Sequence, residues 1–170
     1  MITLEAMYDY VLRINTRIKT KTSPIAQRLE MVYDTGAGTT TISRQVALDA
    51  GYTIKNGDDY VDGLGGRMKA DYTVIPDLII SGVSLGPVYT HVVDFHQKLA
   101  QRTSAILGMN VLSWFKITQD CHWNNGLERY DTATVLLEPK YDTSEFIKLE
   151  NFLPFKKGQR FGTAFIIDKE

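Results

Sequence analysis

The chain has 170 residues, a formal net charge of −1 and 44% hydrophobic residues, which suits one domain with a real core and leaves little for a second. Charge so near zero sets up no field that steers the protein toward nucleic acid or an anionic membrane. A single cysteine, Cys121, excludes an intramolecular disulfide and with it a staple-rich secreted scaffold.

The segment Met1 to Glu5 has no basic region leading into an apolar run, and Glu5 and Asp9 place charges where such a run would have to lie, so no signal peptide is expected. No uncharged stretch approaches the roughly 20 apolar residues needed to span a bilayer. The expectation is a cytoplasmic protein with neither a membrane nor a nucleic-acid partner. Basic residues at Arg13, Arg17, Lys19 and Lys21, and at Lys156, Lys157 and Arg160, read as a solvated strand face and a tail.

Tyr8, Tyr10, Leu12, Ile14 and Ile18 fall on alternate positions, with Asp9, Arg13, Asn15, Arg17 and Lys19 between most of them, the period of a half-buried strand. Thr22-Ser23-Pro24 breaks it. Leu29 to Tyr33 is a short apolar strand running straight into Asp34-Thr35-Gly36-Ala37-Gly38, and β-branched Thr39 to Ile42 extends again. Ser43 predicts a helix N-cap. Val46, Ala47 and Ala50 give that helix one apolar side, and Gly51 fits the left-handed position past its end. Asn56 to Asp59 reads as a turn. Tyr60 to Tyr72, with Gly63, Gly65 and Gly66 between strand-like flanks, predicts a hairpin with a mobile tip.

Tyr72 to Ile80 and Val88 to Phe95 are further strands, separated by the turn-rich Ser81 to Pro87. Gln97 to Ser104 is polar and reads as a loop. Ala105 to Gly108 is a buried apolar run ending in glycine, Asn110 to Phe115 has room for one or two helical turns, and Lys116 to Gln119 returns as a strand. Asn124-Asn125-Gly126 is a hairpin turn signal, and Thr132 to Leu137 is the last clear strand before Pro139. Many short strands and two short helices indicate a mainly β, closed or strongly twisted fold. A domain over 1–140 is expected, with an extension over 141–170 in which Phe161 to Ile167 has the composition of a terminal strand or dimer contact.

The chemistry centres on Asp34-Thr35-Gly36. An Asp at a strand end is presented on a tight turn, Thr35 has a hydroxyl for the neighbouring backbone, and Gly36 lets backbone approach a ligand closely. His91, His96 and the Cys121-His122 pair match no familiar zinc spacing, and neighbours on a strand point to opposite faces, so Cys121 and His122 make a poor nucleophile and base. Gly63-Leu64-Gly65-Gly66 lacks the Lys-Ser/Thr of a phosphate loop. Trp114 and Phe115 read as core. No metal or cofactor is expected.

The order of Asp34-Thr35-Gly36-Ala37, a glycine-rich hairpin, Ile106-Leu107-Gly108 and a short helix resembles the retropepsin-like family of aspartic proteases over about Tyr8 to Pro139. The resemblance implies an all-β closed barrel, a catalytic acid at Asp34 with Thr35 and Gly36 around it, and a flap at the glycine hairpin. It implies substrate contacts from Ala37, Gly38, Val61, Gly63, Leu64, Gly65, Gly66, Met68 and Ile106. Retroviral members usually carry Asp where this chain has Gly38, and often Arg where it has Met109. Those two residues form an ion pair there. Losing one would orphan a buried charge at a cost of several kcal/mol, whereas losing both leaves no orphan.

The family's chemistry needs two such carboxyls around one water. Asp131-Thr132 and Asp142-Thr143 lack the following glycine, so the chain carries one motif. An active enzyme is therefore expected to be an isologous homodimer, Asp34 facing Asp34, on a peptide or protein substrate in extended conformation. The alternative is a noncatalytic relative that uses the same barrel for peptide binding or assembly.

Overall fold

The computed structural model describes residues 5–6, 11–63, 66–126 and 129–140. The expected strand positions Tyr8 and Tyr10, the tip residues Leu64 and Gly65, and all of 141–170, including Phe161 to Ile167, lie outside them.

Among the described residues, twelve strands and three short helices alternate along the chain. The strands are β1 (Glu5–Ala6), β2 (Leu12–Ile18), β3 (Gln27–Tyr33), β4 (Thr41–Ser43), β5 (Lys55–Gly63), β6 (Gly66–Ile75), β7 (Leu78–Ile80), β8 (Val83–Ser84), β9 (Val88–Val93), β10 (Ala105–Leu107), β11 (Phe115–Asn124) and β12 (Arg129–Pro139). The helices are α1 (Arg44–Asp49), α2 (Gln97–Ala100) and α3 (Met109–Leu112).

Ten strands form one sheet in the order β5-β6-β9-β4-β10-β3-β2-β7-β8, with β1 on β2, while β11 and β12 pair separately. The mainly β class is as expected, while a closed barrel is not seen among the described strands. The path ends at β5 and β8, which do not pair, so the sheet stays open among the described strands.

Alternation decides which side chains enter the core. In β2, Ile14, Thr16 and Ile18 point inward and Asn15 and Arg17 outward. Thr16 is polar yet buried, and its hydroxyl donates to Leu29 O at 2.7 Å, so that hydroxyl is not left unpaired. In β3, Leu29, Met31 and Tyr33 point into the same core. Ile42, Ile75, Val88, Val92, Leu107 and Leu112 complete its centre. Strand β9 is buried at every position, as befits a middle strand covered on both faces. The β11–β12 hairpin adds Phe115, Val135 and Leu137, which gives a two-stranded element the packing it needs for stability. As expected, Phe115 is core; Trp114 packs half-buried against it.

Local signals match the structure where the responsible contacts are local. Ser43 caps α1, its Oγ accepting from Val46 N at 3.2 Å, and Gly51 sits at φ 72° just beyond.

Three further expectations need correction. Tyr72 to Ile80 is not one strand, because β6 ends at Ile75 and β7 starts at Leu78, beyond Pro76 and Asp77. Asn56 to Asp59 is part of β5, with a register shift between Lys55 and Asp59. Gly57 donates to Asp71 Oδ1 at 3.2 Å, and a Cβ there would run into Ala70 O, so the residues that signal a turn instead build a bulge against β6. Gln97 to Ser104 is not all loop, because α2 forms at its start, with Leu99 N and Ala100 N both donating to His96 O. No helix among the described residues is long and apolar enough to cross a membrane.

Candidate active site

The topology places Asp34 by threading. Strand β10 lies between β3 and β4, parallel to the first and antiparallel to the second. The segment from Asp34 to Thr40 must therefore arch over the end of β10 to pass from one neighbour to the other. The chain leaving β10 then runs beneath that arch and turns into α3.

Backbone hydrogen bonds tie the two crossing segments together. Asp34 N donates to Leu107 O at 3.2 Å, Met109 N to Ala37 O at 2.7 Å, and Asn110 N to Gly38 O at 3.0 Å. At the crossing point Gly108 has no room for a side chain, since a Cβ would lie 2.5 Å from the Thr39 carbonyl carbon and 2.7 Å from Thr40 N. Its glycine is thus required by close approach of two backbones. Its N–H donates to Thr40 Oγ1 at 3.2 Å.

Asn110 is the residue that sequence reasoning passed over. Its Oδ1 accepts from Thr40 N at 2.7 Å and Thr40 Oγ1 at 2.8 Å, while its Nδ2 donates to Tyr89 O at 2.9 Å. One amide thus joins the arch, the start of α3 and β9. It does so beside Met109 and Gly38, where retroviral members have an ion pair. A neutral amide makes the cross-link without placing a charge in a desolvated site. No local pattern announces this, because Asn110 reads as the start of a helical turn.

The loop's own groups are left accessible. Asp34 is half-buried, while Thr35 and Gly36 are exposed. Asp34 Oδ1 accepts from Gly36 N at 2.8 Å, and Asp34 O from Ala37 N at 3.3 Å. A Cβ at Gly36 would press on Asp34 Oδ1 at 3.1 Å. The carboxylate is therefore aimed by its own turn.

The remaining expected site residues fall into two groups. Ile106 lies in β10 under the arch, opposite Val32 and Thr41. Val61 and Met68 are direct partners across the β5–β6 hairpin, and Gly63 pairs with Gly66 at its end. The first group shares the arch with Asp34 to Gly38, while the second lies at the far end of the sheet. Cys121 and His122 pair with Ala133 and Thr132 respectively and so face opposite ways on β11.

A family model described as aspartyl protease matches residues 21–111, just over half of the chain. No curated protein sequence matches it. Among solved structures, a retropepsin-like aspartic protease from Rickettsia conorii superposes with a TM-score of 0.57 at 19% identity, covering 79% of this chain and 97% of that one. EIAV protease complexed with an inhibitor gives 0.46 at 20% identity, over 59% and 83%. The retroviral protease-like domain of Ddi1 from Leishmania major gives 0.43 at 15% identity, over 78% and 97%. A family match across the arch, the hairpin and the crossing strand, on a backbone shared with nearly the whole rickettsial structure, makes this chain a member of the aspartyl protease family with a retropepsin-like fold.

Proposed function

We propose that the protein is an aspartic endopeptidase that works as a homodimer, with the two Asp34 carboxyls meeting across the twofold axis. The observation that carries the reading is the arch. Its backbone is pinned from beneath at Asp34, Ala37 and Gly38, yet it leaves the Asp34 carboxylate half-exposed with a single backbone donor from Gly36 on Oδ1. A rigid loop with an accessible acid is what a preorganised site requires.

Two carboxyls within hydrogen-bond reach cannot both ionise, so they hold one proton between them. The ionised partner takes a proton from water as the water attacks the scissile carbonyl carbon. The protonated partner hydrogen-bonds the carbonyl oxygen and polarises it. Collapse of the tetrahedral species breaks the C–N bond as a proton passes to the departing amine. The pair titrates as a unit, so neither copy of Asp34 has a private role. Thr35 from each copy braces the other arch. The β5–β6 hairpins close over an extended peptide, with Val61 and Met68 against its side chains.

Asp34→Asn tests the reading. The variant is expected to keep the wild-type circular dichroism and dimer mass while losing cleavage of an unfolded protein substrate by at least about 10³-fold, the scale on which loss of a general acid or base is felt. Cleavage by the variant at the wild-type rate would remove Asp34 from the mechanism. A wild-type protein that stays monomeric and cuts nothing between pH 3 and 8, while still binding peptide, would make the chain a peptide-binding module.

A further inference from the structure

One line of paired residues crosses the main sheet from the arch to the hairpin. Val32 pairs with Ile106, Ile106 with Thr41, Thr41 with His91, and His91 with Tyr72. Residues directly opposite in a sheet share a face, so this line lies on one face from β3 to β6. Ala70, two residues from Tyr72, continues it into the hairpin opposite Asp59, and Met68 opposite Val61. The alternate residues Tyr33, Leu107, Ile42 and Val92 enter the main core instead. Asp34, next after Tyr33, belongs by alternation to the side of Val32. The face of the expected flap residues is thus the face of the acid.

Midway along it sits a cluster outside the main core. The His91 ring meets Tyr89 edge-on at 5.5 Å, and Tyr89 meets Tyr72 at 5.6 Å. The His91 side chain is 8% exposed, and its Nδ1 has no hydrogen-bond partner among the described residues. Its Nε2 lies 3.8 Å from Asp59 Oδ2, whose side chain is 65% exposed. Burial holds the imidazole below its usual pKa, with Asp59 pulling the other way. At neutral pH the ring is uncharged and leaves the Asp59 charge unneutralised. Lys55, on the same face, is turned onto the Tyr72 ring at 6.0 Å, which shows that this aromatic surface accepts a cation. Arg67 stacks on Tyr60 at 4.3 Å, and the Tyr60–Lys69 pair alternates away from Asp59, so these cations occupy the hairpin's other face.

We propose that Asp59, backed by the buried His91 and Tyr89 and flanked by the half-buried Tyr72 ring, forms a specificity subsite that takes a lysine or arginine side chain of an extended peptide, beside the apolar position under Val61 and Met68. The aliphatic stem lies along the Tyr72 ring, displacing the Lys55 head that rests there in the free chain, and the cationic head pairs with Asp59. The inference rests on the proposed peptide-binding face, and not on cleavage itself.

Binding to the full-length Asp34→Asn protein separates the two. Fluorescence anisotropy with two labelled random decapeptide libraries, one holding lysine and the other norleucine at the same fixed central position, is expected to give about threefold to tenfold tighter binding for lysine, the range of a partly exposed ion pair. Asp59→Asn brings the ratio to about one, and Asp59→Lys shifts preference to a library with fixed glutamate. Equal affinities for the lysine and norleucine libraries, a ratio untouched by Asp59→Asn, or no binding of either library would overturn the subsite. A lysine preference in a protein whose wild type cuts nothing leaves the subsite standing and removes the endopeptidase reading, and cleavage without the preference does the reverse.

Discussion

The arch at Asp34 and the hairpin at Gly63 and Gly66 serve one face of the sheet but are built in opposite ways. The arch is short and is cross-linked to a segment roughly seventy residues later in the chain through Gly108, Asn110 and three backbone bonds. The hairpin is long, with its outer strand at the end of the sheet. Its side-chain ties lie toward its base, where Asp71 accepts from Gly57 N and from Arg44 Nη2. Arg44 also reaches Asp94, at 3.1 Å. The proposed endopeptidase, holding an acid still while admitting a chain several residues long, would need this division between a fixed floor and a movable cover. The two regions should therefore respond differently to damage.

The largest effect is expected at the floor. Gly108→Ala forces a Cβ into the Thr39–Thr40 backbone, which neither a rotamer change nor a side-chain shift relieves. A loss of about 3 kcal/mol or more in urea unfolding is expected. A variant within about 0.5 kcal/mol of wild type would show that the arch is not pinned at this crossing. Asn110→Ala comes next. It removes the acceptor for Thr40 N and Oγ1 and the donor to Tyr89 O, at about 2–4 kcal/mol for buried groups left unpaired. Asn110→Asp keeps the acceptor for Thr40 but turns a carboxylate oxygen toward the Tyr89 carbonyl. It should recover less than half of the loss. Full recovery would mean that the bond to β9 contributes nothing.

How much of this is legible in the sequence depends on the range of the contacts involved. Asp34-Thr35-Gly36, the Ser43 cap and Gly51 announce themselves because a turn or cap is settled by residues a few positions apart. Asn110 gives no such sign, since its partners Thr40 and Tyr89 lie 70 and 21 residues away. Gly57 misleads for a related reason. Turns and bulges use the same residue types, and the choice here is made by Asp71 and Ala70 on the facing strand. Helix α2 has no apolar period to reveal it. Whether the described sheet closes depends on which of its end strands pair, a property of the whole path that no window of sequence holds.

Loosening the cover should cost less and show in a different place. Asp71→Asn weakens the tie from α1 to β6, and partly exposed Arg44 limits the loss to about 1–2 kcal/mol. The Arg44 hydrogen bond, helped by that of Gly57, holds the Asp71 carboxyl below its usual pKa. This stabilisation is present above the unfolded value of 3.8 and fades as pH falls through the lower folded value. Hydrogen exchange should quicken in β5 and β6 of the variant while the arch amides Asp34 and Ala37 keep their protection. Equal acceleration in both regions would end the division between floor and cover.

The smallest effect is a slope. Burial depresses the His91 pKa below the ordinary 6.5, outweighing the attraction of Asp59. Above that value both folded and unfolded chains hold a neutral ring, and His91 contributes nothing to pH dependence. Below it the unfolded chain binds the proton first, so stability falls as pH falls, by at most about 1.4 kcal/mol per pH unit, until the folded state titrates as well. His91→Phe abolishes this contribution whatever it does to absolute stability. The comparison is therefore between slopes of urea midpoint against pH, from 7.5 down to 5. Because the ring lies between β9 and an exposed carboxylate on the hairpin, a slope that survives the substitution unchanged would mean that the protonated ring finds Asp59 close enough to offset its burial. The hairpin would then sit tighter on β9 than 3.8 Å implies, and the cover would be less movable than the floor-and-cover contrast requires.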